Sequence, residues 1–251
     1  MGSPLGVRMP RRGTAKRQYQ IGNDQYTYFL FHGKSLLDES VMGYGGAGEP
    51  LTSANMAYNV GASYPCGPSV AVFNGTSSYI MNSVFDPNMS MVNLDYTIQT
   101  WAMTNNIAAT QMLMTAAYAG YLQYYEWQLQ INVSGGLSFL HYYDTSGDAY
   151  FATSSTGLIS NGVPFHVAAC RNGATNRLYL NGVQVASVAV SAAMNNPGSS
   201  ANLCLGVWAG TSWNYWFNGW LQEAKIDRGI CRYPNGTSFT PPAIPSGPDA
   251  R

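Results

Sequence analysis

The chain has 251 residues, a formal net charge of zero and only 10% charged residues, against the ~25% usual in soluble domains. One all-β domain can run to ~200–250 residues, so length alone does not call for two. The composition gives the body no basic patch for nucleic acid, and no apolar run reaches the ~18–20 residues that span a bilayer.

The charge is uneven along the chain. Arg8, Arg11, Arg12, Lys16 and Arg17 all precede the first acid, Asp24, so the start carries a formal +5; 7 basic and all 12 acidic residues remain for the body, a formal −5. Residues 1–25 therefore read as a basic arm that docks on a partner, with those five residues as its anchoring candidates. The N-terminus has no apolar signal core, so the chain is expected to be soluble and not classically secreted. Cys66, Cys170, Cys204 and Cys231 have no metal-type spacing and read as buried small hydrophobes. No metal site is indicated. The Asn-x-Ser/Thr sequons at Asn74, Asn88, Asn132 and Asn235 carry little meaning without a secretory route.

After the arm, "YTYFLFHGKSLLDES" predicts a strand and a polar turn, and a Gly-rich stretch covers 43–48. "SVAVFNGTSSYIM" predicts two strands around Asn74-Gly75, and "DYTIQTWAMT" sets Tyr96, Ile98 and Thr100 against Thr97, Gln99 and Trp101. In "EWQLQINV", Trp127, Leu129, Ile131 and Val133 share one face; Glu126, Gln128, Gln130 and Asn132 share the other. Ser134-Gly135-Gly136 turns the chain into "LSFLHYY", and "FHVAACR" follows.

"RLYLNGVQVAS" then predicts a hairpin. Asn181-Gly182 suits a two-residue turn with φ > 0 at both positions. That register pairs Leu180 with Val183, Leu178 with Val185, Tyr179 with Gln184 and Arg177 with Ala186, with the four aliphatic residues buried and the other face wet. "NLCLGVW" and "WLQEAKID" complete the strands, the latter and "EWQLQINV" placing Trp220 and Trp127 in the core. No segment has a helical period, so the fold class is all-β: two antiparallel sheets packed face to face.

Several of these stretches, in order, resemble the concanavalin A-like lectin/glucanase jelly roll in its laminin G-like or pentraxin-like branch. "VAVFNGTSSYI" resembles the family's Phe-Asp-Gly strand and turn, and "YTIQTWAM" its Phe-Thr-Ile-Glu-x-Trp strand. "PFHVAACRNGATNRLYLNGVQVAS" is similar to Trp-x-His-Val-Ala-x-x-Arg followed by Leu-Tyr-x-Asn-Gly. "FNGWLQEAKIDRGICRY", with "FTPP" after it, resembles the variant found in bacteriophage structural proteins. The resemblance implies an antiparallel two-sheet jelly-roll sandwich over residues 26–244, leaving the arm at 1–25 and a tail at 245–251. Phe165 replaces the usual Trp, and Gln222 stands where many relatives carry an Asp. That lost acid argues against the calcium some members bind, so no cofactor is expected. Asp144 and Asp148 could still supply two oxygens to such an ion, but read first as parts of a polar hairpin turn.

An enzyme reading fails on spacing. Glu39, Glu49, Glu126 and Glu223 do not form the glucanase Glu-x-Asp-x-x-Glu pattern. Glu223 and Asp227 share a face of an extended strand but stand ~13–14 Å apart, beyond the ~5–5.5 Å or ~6.5–9.5 Å that glycoside hydrolysis uses. His32, His141 and His166 are scattered, and His166 falls in a packing strand.

Two stretches are dense in aromatics, 118–127 and 208–220. Tyr121, Tyr124, Trp213, Tyr215 and Trp216 are the candidates for stacking on sugar faces, with Gln123 and Asn214 for hydroxyl bonding. Subunit interfaces use the same residue types. The resemblance implies a non-enzymatic virion surface protein of a bacteriophage, made in the host cytoplasm: a capsid-decorating or appendage subunit, present as a homo-oligomer or multi-copy array. It would be held to other virion proteins by the arm and would adhere to host-surface or environmental glycans. The alternatives are a glycan-binding receptor module of a tail fibre or baseplate and, behind it, a glycoside hydrolase.

Overall fold

The computed structural model describes residues 22–40, 42, 49–82, 90–117, 125–195, 202–209 and 213–243. The anchoring candidates Arg8, Arg11, Arg12, Lys16 and Arg17, the Gly-rich stretch, and Tyr121, Gln123 and Tyr124 lie outside the described residues. No helix among them is long and apolar enough to cross a membrane.

The strands are β1 (Thr27–Phe31), β2 (Leu37–Asp38), β3 (Glu49–Ala54), β4 (Ala57–Tyr64), β5 (Gly67–Asn74), β6 (Tyr79–Asn82), β7 (Tyr96–Thr104), β8 (Gln111–Ala117), β9 (Tyr125–Asn132), β10 (Gly136–Tyr142), β11 (Ala149–Thr153), β12 (Phe165–Asn172), β13 (Thr175–Leu180), β14 (Val183–Ala189), β15 (Asn202–Leu205), β16 (Trp208–Ala209), β17 (Trp213–Asn214) and β18 (Asn218–Arg228). The first sheet runs β14-β13-β12-β7-β18-β5-β4, with β1 also on β18; the second runs β11-β10-β9-β8-β15-β6-β3-β2. Every pairing is antiparallel. Phe29, Phe31, Ile98, Trp127, Phe139 and Leu178 are among the side chains sealed between the two sheets. The chain is the expected jelly-roll sandwich.

The Asn181-Gly182 turn forms with both residues at positive φ, 49° and 81°. Leu180 pairs with Val183 and Tyr179 with Gln184 as the register requires, but a bulge follows, so Leu178 meets Ala186 and Arg177 meets Ser187. Two expectations fail here. Val183 is 57% exposed and Val185 only half-buried, because β14 is the edge strand of its sheet and has no strand beyond it. Tyr179, expected in water, is fully buried, because residues 231–243 cross the outer face of the first sheet and cover it.

This C-terminal strap is bonded along its length. Tyr179 Oη donates to Tyr233 O at 2.7 Å, Tyr233 Oη to Gln99 Oε1 at 2.7 Å, the Phe239 amide to Gly182 O at 2.9 Å and Trp101 Nε1 to Pro242 O at 2.8 Å. Gly182 is required there, since a Cβ would stand 1.8 Å from Phe239 O. His166 packs edge-on beneath Phe239, and burial pushes its imidazole down to about 3.

Two further assignments change. Trp220 is buried, but on the outer side of its sheet, edge-on to Tyr64, and not between the sheets. Glu126 does not face outward with Gln128. A bulge in β9 opposite Ala116 and Ala117 turns it toward Ser90 and Met91, whose hydroxyl and amide donate to Oε1 at 3.2 and 2.5 Å. Burial raises its carboxyl to about 7 despite those bonds.

Candidate functional site: an aromatic ribbon on the second sheet

Between β15 and β18 the chain leaves the sandwich and lies back over the outer face of the second sheet. The Gly206 amide donates to Leu113 O at 3.1 Å, the Phe217 amide to Gly206 O at 2.9 Å, and the Met112 amide to Tyr215 O at 2.8 Å. Gly206 permits this crossing, since a Cβ there would meet the Phe73 ring at 2.2 Å. Phe217 closes the far end by packing on Phe73 inside the core. Within the loop β16 and β17 form a two-stranded ribbon, with Trp208 opposite Asn214 and Ala209 opposite Trp213.

The rings divide into a backing layer and an open layer. Trp216 packs with Tyr79, Met81, Cys204, Val207 and Ala209. Trp208 packs against Tyr125, Leu140 and Tyr142. Above them, Trp213 stays 38% exposed and Tyr215 45% exposed. Trp213 lies 4.5 Å from Tyr79 and 6.1 Å from Trp216, near-parallel to the latter at 26°; Tyr215 lies 5.8 Å from Trp208. Tyr215 has φ 54°, a left-handed backbone rare for a bulky residue, enforced by the hydrogen bond that ties its carbonyl to β8. Burial pushes the Tyr142 phenol well above its ordinary range, and the buried Trp208 Nε1 has no hydrogen-bond partner among the described residues.

A polar ladder adjoins the ribbon. Gln130 pairs across the sheet with Met112, whose amide holds Tyr215. From there Gln130 Nε2 donates to Asn132 Oδ1 at 2.9 Å, Asn132 Nδ2 to Ser138 Oγ at 2.7 Å, and Ser138 Oγ lies 2.8 Å from Thr153 Oγ1. Of the sequence candidates, Trp213, Asn214, Tyr215 and Trp216 come together here. Tyr79, Trp208, Gln130 and Asn132 were not among them. The outward amides of "EWQLQINV" were a signal for the last two, whereas Tyr79 arrives from β6, which topology alone brings near.

The acidic residues tested for hydrolysis are bonded elsewhere. Glu223 sits at φ 52° in a bulge of β18 and pairs through Oε1 with His32 Nδ1, while His32 Nε2 lies 3.6 Å from Glu39. Asp227 is buried, accepting from Thr27 Oγ1 at 2.8 Å and from Arg232, with Lys225 Nζ at 3.1 Å. Arg232 also donates to Asp24 at 2.6 Å. Burial is the largest single effect on Asp24 and opposes its ionisation, but the hydrogen bonds from Arg232 and the Tyr26 amide and the charges of Arg232 and Lys225 together outweigh it and hold that carboxyl below its ordinary value. Lys225 Nζ also donates to Gly22 O, so the network holds residues 22–24 against β18.

Gln222 is a staple between strands: Oε1 accepts from the Cys66 amide and Nε2 donates to Ser69 O, both at 2.9 Å. Asp144 Oδ1 accepts the amides of Ser146, Gly147 and Asp148 at 3.0–3.1 Å, a polar turn. Among the described residues no group of three or more His, Cys, Asp or Glu is placed to hold a metal ion.

A two-sheet jelly-roll sandwich with an aromatic ribbon laid over one outer face defines a lectin-like class of domain. Residues 74–228 match the family model described as the Concanavalin A-like lectin/glucanases superfamily, and the chain belongs to that family. No curated protein matches it in sequence. Among solved structures it is similar to domain 4 of AbnA, an extracellular arabinanase from Geobacillus stearothermophilus, in complex with arabinotriose: 20% identity, 82% of this chain and 95% of that one, TM-score 0.57. It is also similar to a mutant HCR/D (13% identity, 82% and 49%, TM-score 0.59) and to the binding domain of Paraclostridial Mosquitocidal Protein 1 (13%, 82% and 50%, TM-score 0.59). The chain thus spans about half the length of these last two, and all three likenesses are of fold.

Proposed function

We propose that the chain is a non-catalytic glycan-binding module whose contact surface is the outer face of the second sheet, centred on Trp213 and Tyr215. The carrying observation is that these rings are held rigidly from behind yet left 38% and 45% exposed. A sugar presents CH faces to such rings, and its hydroxyls meet Asn214, Gln130 and Asn132. That an arabinanase domain of this fold was solved with arabinotriose supports the reading. The surface is neutral and shallow, so one site binds weakly and many copies bind well. The test is retention of the purified chain, clustered on a bead, on a panel of polysaccharides. Wild type should be held by at least one of them and Trp213→Ala/Tyr215→Ala released, with both proteins equally folded; equal retention would remove these rings from the site.

The setting is read from the sequence: a virion surface subunit of a bacteriophage displaying this face in many copies, attached by Arg8, Arg11, Arg12, Lys16 and Arg17. What supports it is the likeness of 217–242 to phage structural proteins and the +5 arm ahead of a −5 body. A chain lacking residues 1–20 should keep its fold and lose particle binding; normal occupancy by that truncation in moderate salt would overturn the arm's role.

A further inference from the structure

The C-terminal strap begins at a pair of cysteines that the glycan reading does not use. Cys170, on β12, is fully buried on the outer face of the first sheet; Cys231, three residues after β18, is half-buried and packs on the same cluster with Tyr179 and Tyr233. The two side chains pack in one cluster. The Thr97 hydroxyl fixes both sides of the pair. It receives a hydrogen bond from Cys170 Sγ at 3.5 Å and one from the Arg232 amide at 2.8 Å, and it lies 3.1 Å from Ile230 O. Thr97 is also the cross-strand partner of Cys170. One side chain thus holds Cys170 and both chain neighbours of Cys231 together.

We propose that Cys170 and Cys231 are a latent disulfide, and that its formation staples the C-terminal strap to β12. The oxidant is a small disulfide such as oxidised glutathione. The Cys231 thiolate attacks one of its sulfurs and expels one thiolate, which takes up a proton. Cys170 then loses its proton and attacks the Cys231 sulfur, expelling the second thiolate. One S–S bond forms in the protein as one breaks in the oxidant, and two thiols leave.

Chemical access favours this order. The hydrogen bond from Cys170 holds the Cys231 thiol below its ordinary value, whereas burial keeps Cys170 protonated. Burial likewise raises Cys66 and Cys204 to about 12, so those two are poor nucleophiles at neutral pH.

The test uses the full chain incubated with oxidised glutathione, then digested without reductant and mapped by mass spectrometry. The expected product joins the Cys170 peptide to the Cys231 peptide, lighter by two hydrogens, with Cys66 and Cys204 still open to alkylation after denaturation. Amide exchange at Arg232 and Phe239 should slow several-fold in the oxidised protein, revert on reduction, and be unaffected by the oxidant in Cys231→Ser. A lasting glutathione adduct on Cys231, no reaction, or a link through Cys66 or Cys204 would overturn the pairing. A formed link with unchanged exchange at Arg232 and Phe239 would overturn the stapling.

Discussion

The two outer faces of the sandwich use the same residue types to opposite ends. On the first sheet, Tyr233 and Phe239 stack at 3.5 Å and 2°, and the polar tips of Tyr179, Tyr233 and Trp101 all bond to the chain itself. On the second, Trp213 and Tyr215 rest on other rings but keep more than a third of their surface in water. Aromatic density therefore does not mark a binding face. What separates them is whether the chain supplies a lid, and only the first sheet has a C-terminal strap across it.

That contrast can be broken by substitution. Gly182→Val should do most damage, about 4 kcal/mol or more in denaturant unfolding, because it drives a β-branched side chain into Phe239 O at positive φ. Tyr233→Phe should cost about 1–3 kcal/mol by leaving Gln99 buried without its donor. Trp213→Ala should cost about 1 kcal/mol or less, since its site is already part solvent. If it destabilised more than Tyr233→Phe, the open face would be structural as well.

Acid sharpens the same comparison. His166 under the strap is held neutral, with its folded value at about 3, below the ~6.5 of an unfolded chain. The unfolded state thus binds the extra proton first, and stability is fully present above ~6.5 and lost progressively as pH falls toward 3. Melting followed from pH 7 to 4 should show the wild type losing stability more steeply than His166→Gln. Glycan retention should stay level from pH 8 to 5 while the fold persists, because the indole and amide groups of the face carry no titrating proton there.

The sequence was most informative where structure is local. Asn181-Gly182 encodes its own φ signs, and the alternation from Trp127 to Ile131 encodes its own face. It failed where a distant partner decides. Glu126 turns inward because β9 carries a bulge against β8, and Tyr179 is buried by Tyr233, 54 positions later. Val183 is exposed because its strand lies at a sheet edge, which topology and not alternation determines. The site shows the same division. Trp213, Tyr215 and Trp216 stood out as a dense aromatic run, but Tyr79 beneath Trp213 belongs to another strand and gave no local sign.

The central claim is that the open face of the second sheet meets the ligand. It is tested most directly by following the indole N–H resonances of the isotopically labelled chain as a polysaccharide it retains is added. Trp213, Trp216 and Trp208 should shift or broaden, while Trp101 under the strap, Trp127 in the core and Trp220 beside Tyr64 stay in place. Movement at Trp101 or Trp220 with none at Trp213 and Trp216 would contradict the account.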